Sequence, residues 1–502
     1  MTRWADWEVR LERAGEWLNP ILVKEARQSL KSNHFSYSFM LLLLAAVVWS
    51  FLGLFYWSSS GSLASSSTML SGYFFMLLFP LFLIVPFAAY RSLAAEREDG
   101  TFELMSITNL NARQIILGKL ASATLQIILY FSALAPCLAF TYLLRGIDIG
   151  MIAVLLCNTL AGSWLLAVFG LYVATATSQR HWQVLNSLAL LLLLTFTLFA
   201  WFSYGMFLIR SSGMLNSESE TFYIVEGIFI TAGLSMAALC VERGASRITF
   251  ASDNQATRVR WVFFSQFVLW MGWHAFFHWK QSYISGDLWL FMNGAASLYA
   301  AFIGAPMVGE SSQLSARVRR QLPQSFLERM TLSWFIPGSG SGYFFVLSCL
   351  TGVVLFSWLL IALNWFRSVQ VFTGGLATDN FVHLLVLGLV HWSYVAFYLG
   401  LARLAMWWLS RRTTPTPVLS TLITLLLVIA GIAAPLLTHM VIYDWNSFEY
   451  SWMQWTNFVW TITVARSVSY GDHLPALFTL IAMAFIVVFL NVLTTARELA
   501  QE

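Results

Sequence analysis

The segment from Arg91 to Lys119, RSLAAEREDGTFELMSITNLNARQIILGK, places a dense group of charges between two apolar runs. Its first thirteen positions contain six charged residues, which are Arg91, Glu96, Arg97, Glu98, Asp99 and Glu103. The acids cluster early, and Arg113 follows after a gap. An ordered loop of this kind could transmit force to a partner. The alternative is that the acids form only a solvated charge run.

Turn signals predict that this segment is helix, turn, short helix, turn and helix in order. Gly100 ends the first helical piece, because glycine turns there without steric cost. Thr101 is a candidate cap for a short helix over residues 102–107. Asn111 followed by Gln114 predicts a capping box that opens the next helix. A passive linker would not need this order.

Composition predicts a polytopic membrane protein. The 502 residues are 58% hydrophobic and 10% charged, and the mean hydropathy is +0.70. The net charge of +4 is too small to indicate nucleic acid as a partner. All four cysteines lie in apolar runs, so neither a disulfide framework nor a zinc motif is implied.

Residues 3–31 predict two helices that precede the first apolar run. Tryptophan, leucine and alanine recur every three to four positions from Trp4 to Leu18, with charged residues between them. This pattern is typical of an amphipathic helix that lies in the membrane interface and serves as a surface anchor. Asn19 and Pro20 then predict the N-cap and first residue of a second helix, which contains Lys24 and Glu25.

Twelve apolar runs have the length of roughly 20 residues that a membrane-spanning helix needs. They cover residues 37–58, 69–90, 120–144, 150–176, 184–210, 221–241, 261–279, 287–307, 344–365, 380–402, 418–443 and 472–494. The predicted fold is therefore an all-α polytopic membrane protein with about twelve transmembrane helices.

Basic residues predict how these helices are oriented. With the N-terminus inside, the inner segments hold 23 lysines and arginines and the outer loops hold five. This asymmetry follows the positive-inside rule. It predicts that both termini and the 91–119 loop are cytoplasmic. The expected location of this multi-pass protein is a bacterial-type plasma (inner) membrane.

The predicted layout occurs twice. Residues 1–241 and residues 242–502 each have a polar lead-in, two spans, a long loop and four spans. The halves share little residue identity, so the predicted repeat is topological, with 242–502 as a diverged six-helix membrane half.

Three motifs together resemble the ABC-2-type permeases of ABC transporters. They are Asn19-Pro20-Ile21-Leu22-Val23-Lys24-Glu25, Glu96-x-Glu98-x-Gly100-Thr101-x-Glu103-Leu104 and Ile116-Leu117-Gly118-Lys119. The resemblance is specific over about residues 18–125. The family pattern often has Pro and Ser where this chain has Asn109 and Asn111.

The resemblance implies an interfacial helix before six spans and a coupling helix that docks on a separate ATPase. It assigns the coupling role to Glu96, Glu98, Gly100, Thr101, Glu103 and Leu104. It assigns the interfacial-helix motif to Asn19, Pro20, Lys24 and Glu25. The second half lacks the acidic string, and its 308–343 loop offers a basic patch of Arg317, Arg319 and Arg320. That patch is expected to face lipid headgroups.

The chain is not predicted to be an enzyme. Its Gly-Lys pair at Gly118 and Lys119 has Arg113 and Leu120 where a phosphate-binding loop needs Gly and Ser or Thr. No cofactor is predicted on this chain, and the resemblance places ATP on the partner ATPase. The expected function is a transporter permease subunit, with an exporter favoured. The alternatives are an ion-coupled secondary carrier and a membrane scaffold without transport.

The resemblance also implies two ATPase subunits, each with its own docking site. Either the diverged 308–343 loop supplies the second site, or two chains pair as a homodimer through residues 1–241. We favour the pair, since closed twofold symmetry is the commonest way to duplicate a site. Residues 242–502 would then be an accessory domain.

Two further features have alternative interpretations. His274 and His278 lie one helical turn apart, but interfacial histidines are favoured over a metal site, because no further ligand is close in sequence. His383, His391 and His439 are candidates for a proton relay, which the lack of nearby acids disfavours. Residues 444–470 are aromatic with few charges, and an interfacial or re-entrant helix is predicted there.

Overall fold

The structure is a computed structural model that describes residues 20–60, 66–99, 111–143, 149–177, 179–210, 220–250, 253–280, 286–311, 333–371, 378–412, 414, 416–442, 450–465 and 474–501. The chain divides into two compact units, Met1–Thr249 and Phe250–Glu502, called unit 1 and unit 2 below. The described residues form helices and connections without a strand, so the predicted all-α class is confirmed.

Unit 1 contains eight described α-helices. They are α1 Pro20–Leu30, α2 Asn33–Ser60, α3 Ser66–Phe79, α4 Val85–Glu98, α5 Ala112–Leu143, α6 Ile149–Ala174, α7 Arg180–Arg210 and α8 Glu220–Ile248. A π-helical turn, Pro80–Ile84, joins α3 to α4 in one continuous rod. Helix α8 continues past residue 241, where the predicted span ends, to Ile248. This extension contains the charged residues Glu242, Arg243 and Arg247.

Unit 2 contains seven described α-helices. They are α9 Thr257–Lys280, α10 Gly286–Met307, α11 Ser339–Val371, α12 Thr378–Leu409, α13 Pro417–Ile442, α14 Phe458–Ala465 and α15 Leu474–Gln501. Short 3₁₀ turns at Ser333–Phe335 and Trp452–Thr456 precede α11 and α14. Helix α12 is central, since it packs against α10, α11, α13 and α15.

Eleven helices of the described residues are long and apolar enough to cross a membrane. The remaining predicted span, 261–279, the seventh in chain order, also forms a helix, α9. It is less apolar than the others, because Arg258, Arg260, His274 and His278 interrupt its aromatic residues. The multi-pass membrane character is thus supported, while the count of twelve stays a prediction.

The charged 91–119 segment is mostly helical at its two ends. Helix α4 runs to Glu98, where Asp99 N–H donates to the carbonyl of Ala95 at 2.9 Å. Helix α5 begins at Ala112, and Asn111 N–H donates to the Gln114 side chain at 3.0 Å, which is one half of the predicted capping box. The connection between the helices therefore shortens to residues 99–111.

Candidate functional site

Three segments of unit 1 meet around Lys119: helix α1, the last turns of α4 and the first turns of α5. Lys119 of α5 lies at the centre, with a side chain that is 1% exposed. Its Nζ lies 2.7 Å from Glu25 Oε1 of α1 and 2.9 Å from Glu96 Oε2 of α4. Each of the three motifs that carry the sequence resemblance therefore contributes at least one charged side chain to this cluster, which we call the Lys119 cluster.

Two further groups complete the Lys119 cluster. Nζ also donates to the carbonyl of Ser92 at 3.2 Å. The Nζ of Lys24 lies 3.9 Å from the other oxygen of Glu96, so two cations face two carboxylates. The ion pair of Lys24, which is 61% exposed, contributes little to stability. Lys119 is buried, and its charge would destabilise the fold if its carboxylate partners were removed.

The position of Glu96 depends on how α4 packs against α6. Ser163 Oγ donates to the carbonyl of Leu81 at 2.6 Å. Leu81 lies in the π-helical turn, where backbone hydrogen bonds span five residues instead of the four of an α-helix. A Cβ at Gly170 would lie 2.7 Å from the carbonyl oxygen of Pro86, so only glycine permits this approach of the two backbones. Arg97 then donates to the carbonyl of Ala174, at the end of α6, at 3.2 Å.

Two outer ion pairs flank the Lys119 cluster. Arg113 Nε lies 3.1 Å from Glu242 Oε1 and joins α5 to α8. Arg180 Nε lies 3.2 Å from Glu98 Oε1, but Arg180 is 85% exposed. Glu98 therefore behaves largely as the solvated charge of the alternative interpretation, whereas Glu96, 16% exposed and paired with a buried lysine, does not.

The structure reaches only part of the predicted coupling set. Gly100, Thr101, Glu103 and Leu104 lie outside the described residues, as do Asn19 and the predicted amphipathic helix that precedes it. Pro20 is the first described residue of α1, and two residues of that helix form ion pairs: Lys24 with Glu96 and Glu25 with Lys119.

Lys119 was not among the predicted site residues, although it belongs to one of the three motifs. A signal was present, because Lys119 stands alone at the start of the apolar run of 120–144. A lysine in such a position needs a carboxylate partner, yet its partner Glu25 is 94 residues away.

Unit 2 has a buried cation of its own next to its long connection. Arg260 of α9 is 0% exposed, and its Nη2 forms an ion pair with Glu310, just after α10. Its Nη1 donates to the carbonyls of Trp334 and Ile336 and to Ser341 Oγ. Arg260 thus holds the backbone that leads into α11, and we call this group the Arg260 cluster.

A second buried arginine lies near the start of α11. Arg403 of α12 forms an ion pair with Glu498 at 2.9 Å and donates to Asn491 and Thr494 of α15. A Cβ at Gly340 would lie 3.0 Å from its Nη2. The start of α11 is therefore enclosed between two arginines, each of which fixes a pair of helices.

The remaining polar candidates have structural partners. In the described residues, no three His, Cys, Asp or Glu side chains are grouped closely enough to hold a metal ion. His274 Nδ1 lies 3.2 Å from Ser357 Oγ. Glu226 accepts a hydrogen bond from Asn158 Nδ2 at 2.8 Å, a pair that sequence reasoning did not predict.

The aromatic segment between the last two spans turns back onto unit 2. Gln454 and Thr456 of the 3₁₀ turn donate to the carbonyls of Pro435 and Gly431, which lie inside α13. Tyr450 is hydrogen-bonded to Thr461 Oγ1 at 2.9 Å, and burial raises the pKa of its phenol. The prediction of a helical, membrane-associated element is consistent with this geometry.

No protein-family model, curated protein or solved structure matches this chain. The likeness to ABC-2-type permeases therefore rests on the motif residues alone.

Proposed function

We propose that this chain is the membrane permease subunit of an ATP-driven transporter and that residues 99–111 dock a separate ATPase subunit. The observation that carries this proposal is the Lys119 cluster. In this cluster the buried ammonium group of α5 forms ion pairs with carboxylates of α1 and α4. A force applied to the connection would therefore reach an interfacial helix and two spanning helices at once.

The charge arrangement supports docking of a protein partner. Glu96 is fixed by Lys119, while Glu98 and Asp99 stay at the surface where the connection begins. Exposed carboxylates on a rigid base steer and orient a partner more than they add affinity. The docking side is cytoplasmic in this proposal, because 23 of the 28 basic residues belong to that side.

In the assembly that we favour, two chains pair through unit 1 and bind two ATPase subunits. The complex lies in the plasma (inner) membrane and moves its substrate outward. Native mass spectrometry of the complex distinguishes this pair from a single chain with two ATPases. Two chains with two ATPases support the pairing, and one chain with two ATPases refutes it.

The direct test places a photoreactive amino acid at Thr101 in living cells. After irradiation, the tagged chain is purified and the attached protein is identified by mass spectrometry. The expected product is a subunit with its own ATP-binding loop. A photoreactive residue at Ser217, in the connection between α7 and α8, is the matched control and should not capture it. If Thr101 captures no such subunit, the ion-coupled carrier and the scaffold become the better interpretations.

A further inference from the structure

Unit 2 contains an apolar cavity of about 370 Å³ between α10, α12, α13 and α14. This volume is within the range of small-molecule sites, roughly 300–1,000 Å³. Aliphatic and aromatic side chains form most of the wall, including Leu298, Val428, Phe458 and Ile462. No Asp, Glu, Lys or Arg is among the described residues that line it, so the cavity suits a neutral molecule.

His391 supplies a directed polar group in this wall. The residue is 4% exposed, and its Nδ1 lies 2.7 Å from the carbonyl of Leu387. Nδ1 therefore carries the proton and donates it, which leaves the lone pair on Nε2 as an acceptor. Within the described part of the chain, Nε2 has no hydrogen-bond partner.

Gly294 leaves room in front of that nitrogen. A Cβ at this position would lie 3.5 Å from Nε2 of His391, so any larger side chain would fill the space next to the ring. Both residues line the cavity. Because Gly294 has no side chain, Nε2 of His391 is accessible and forms the polar end of an otherwise apolar cavity.

The hydroxyl groups of the wall direct their protons elsewhere. Tyr394 and Tyr398 donate to the carbonyls of Trp455 and Thr456, at 2.6 Å and 2.5 Å, and so attach the 3₁₀ turn to α12. Ser297 and Thr424 donate to carbonyls of their own helices at 2.8 Å. The wall therefore offers an acceptor at Nε2, and the donor must come from the ligand.

We infer that this cavity binds a neutral amphipathic lipid that has an apolar chain and a hydroxyl group. The hydroxyl donates to Nε2 of His391 beside Gly294, and the chain lies against Leu298, Val428 and Ile462. Helix α14 covers the ligand, because Phe458 and Ile462 form one side of the wall. This site is independent of the docking proposed for unit 1.

The test uses two photoreactive probes on the purified full chain: an octanol that carries a diazirine, and its methyl ether, which cannot donate a hydrogen bond. Labelled residues are mapped by mass spectrometry. The alcohol should label α10 and α14 about fivefold more than the ether, which corresponds to about 1 kcal/mol. In His391→Phe, which keeps a flat ring and removes the acceptor, the two probes should label equally.

Glycine variants provide the matched control. Gly294→Leu should fill the cavity and remove the labelling, whereas Gly272→Leu, on α9 where a Cβ meets no atom within 4 Å, should leave it unchanged. Equal labelling of the wild-type chain by alcohol and ether would overturn the inference without any variant. Unchanged labelling of α14 in Gly294→Leu would overturn it as well.

Discussion

Each unit buries a cation beside a connection, which follows α4 in unit 1 and α10 in unit 2, but the two cations are bound differently. Lys119 in unit 1 contacts two carboxylates from two other helices. Among the described residues, Arg260 in unit 2 contacts the carboxylate of Glu310 and the backbone carbonyls of Trp334, Ile336 and Gly338. One carboxylate in each unit lies close to the end of the preceding helix: Glu96 in the last turn of α4 and Glu310 just after α10.

The difference follows from the chemistry of the two side chains. An ammonium group is a point charge that can be shared between carboxylates, whereas a guanidinium group is a planar fork that fixes several acceptors at once. The Lys119 cluster therefore links helices through charge, while the Arg260 cluster fixes the path of a backbone segment.

The largest effect is expected for Arg260→Met. The change leaves Glu310 and several carbonyls without their donor, and we expect a loss of about 4 kcal/mol in the unfolding free energy. Residues 333–341 should become sensitive to protease. Arg260→Lys should recover less than half of the loss, because lysine lacks the fork. Arg258→Met, an exposed position on the same helix, is the control, and an equal loss there would contradict this account.

Lys119→Met should lower the unfolding free energy by about 3 kcal/mol. The effect is smaller because fewer acceptors lose their donor: Lys119 serves two carboxylates and the carbonyl of Ser92, whereas Arg260 serves Glu310, Ser341 and three backbone carbonyls. Hydrogen exchange in α1 should increase, since the helix loses its ionic attachment. Lys24→Met removes an exposed lysine from the same region and should change stability by less than about 1 kcal/mol. Unaltered exchange in α1 would show that the cluster does not hold this helix.

Gly170→Ala should destabilise unit 1 by about 2 kcal/mol, because the new Cβ meets the backbone of Pro86 at 2.7 Å. The same change at Gly272 of unit 2 meets open space and should be neutral or stabilise by at most about 1 kcal/mol. Thermal unfolding of both variants measures the difference. Equal midpoints would mean that α4 and α6 do not need this close approach.

Arg180→Ala should have the smallest effect, at most about 0.5 kcal/mol, because the Arg180–Glu98 pair is exposed to solvent. High salt should reduce even this difference, as expected for a screened surface pair. A larger loss in a denaturation series would show that Glu98 belongs to the buried network with Glu96.

Local features of the fold were accessible from the sequence, and the long-range contacts were not. The Asn111–Gln114 pair marked a helix start correctly, since capping depends on neighbouring residues. Lys119 and Glu25, however, are 94 residues apart, and nothing in either motif indicates that they touch. The cavity beside His391 was equally hidden, because it depends on a glycine of another helix.

The most direct test of the proposed coupling compares two matched carboxylate changes. The photoreactive residue at Thr101 is combined with Glu96→Gln in one strain and with Glu310→Gln in another, at equal amounts of membrane-inserted chain. We expect Glu96→Gln to reduce capture of the ATPase subunit roughly tenfold, which corresponds to about 1.4 kcal/mol of docking free energy. Glu310→Gln should leave capture unchanged. Equal capture in the two strains would contradict the claim that the Lys119 cluster prepares the docking site.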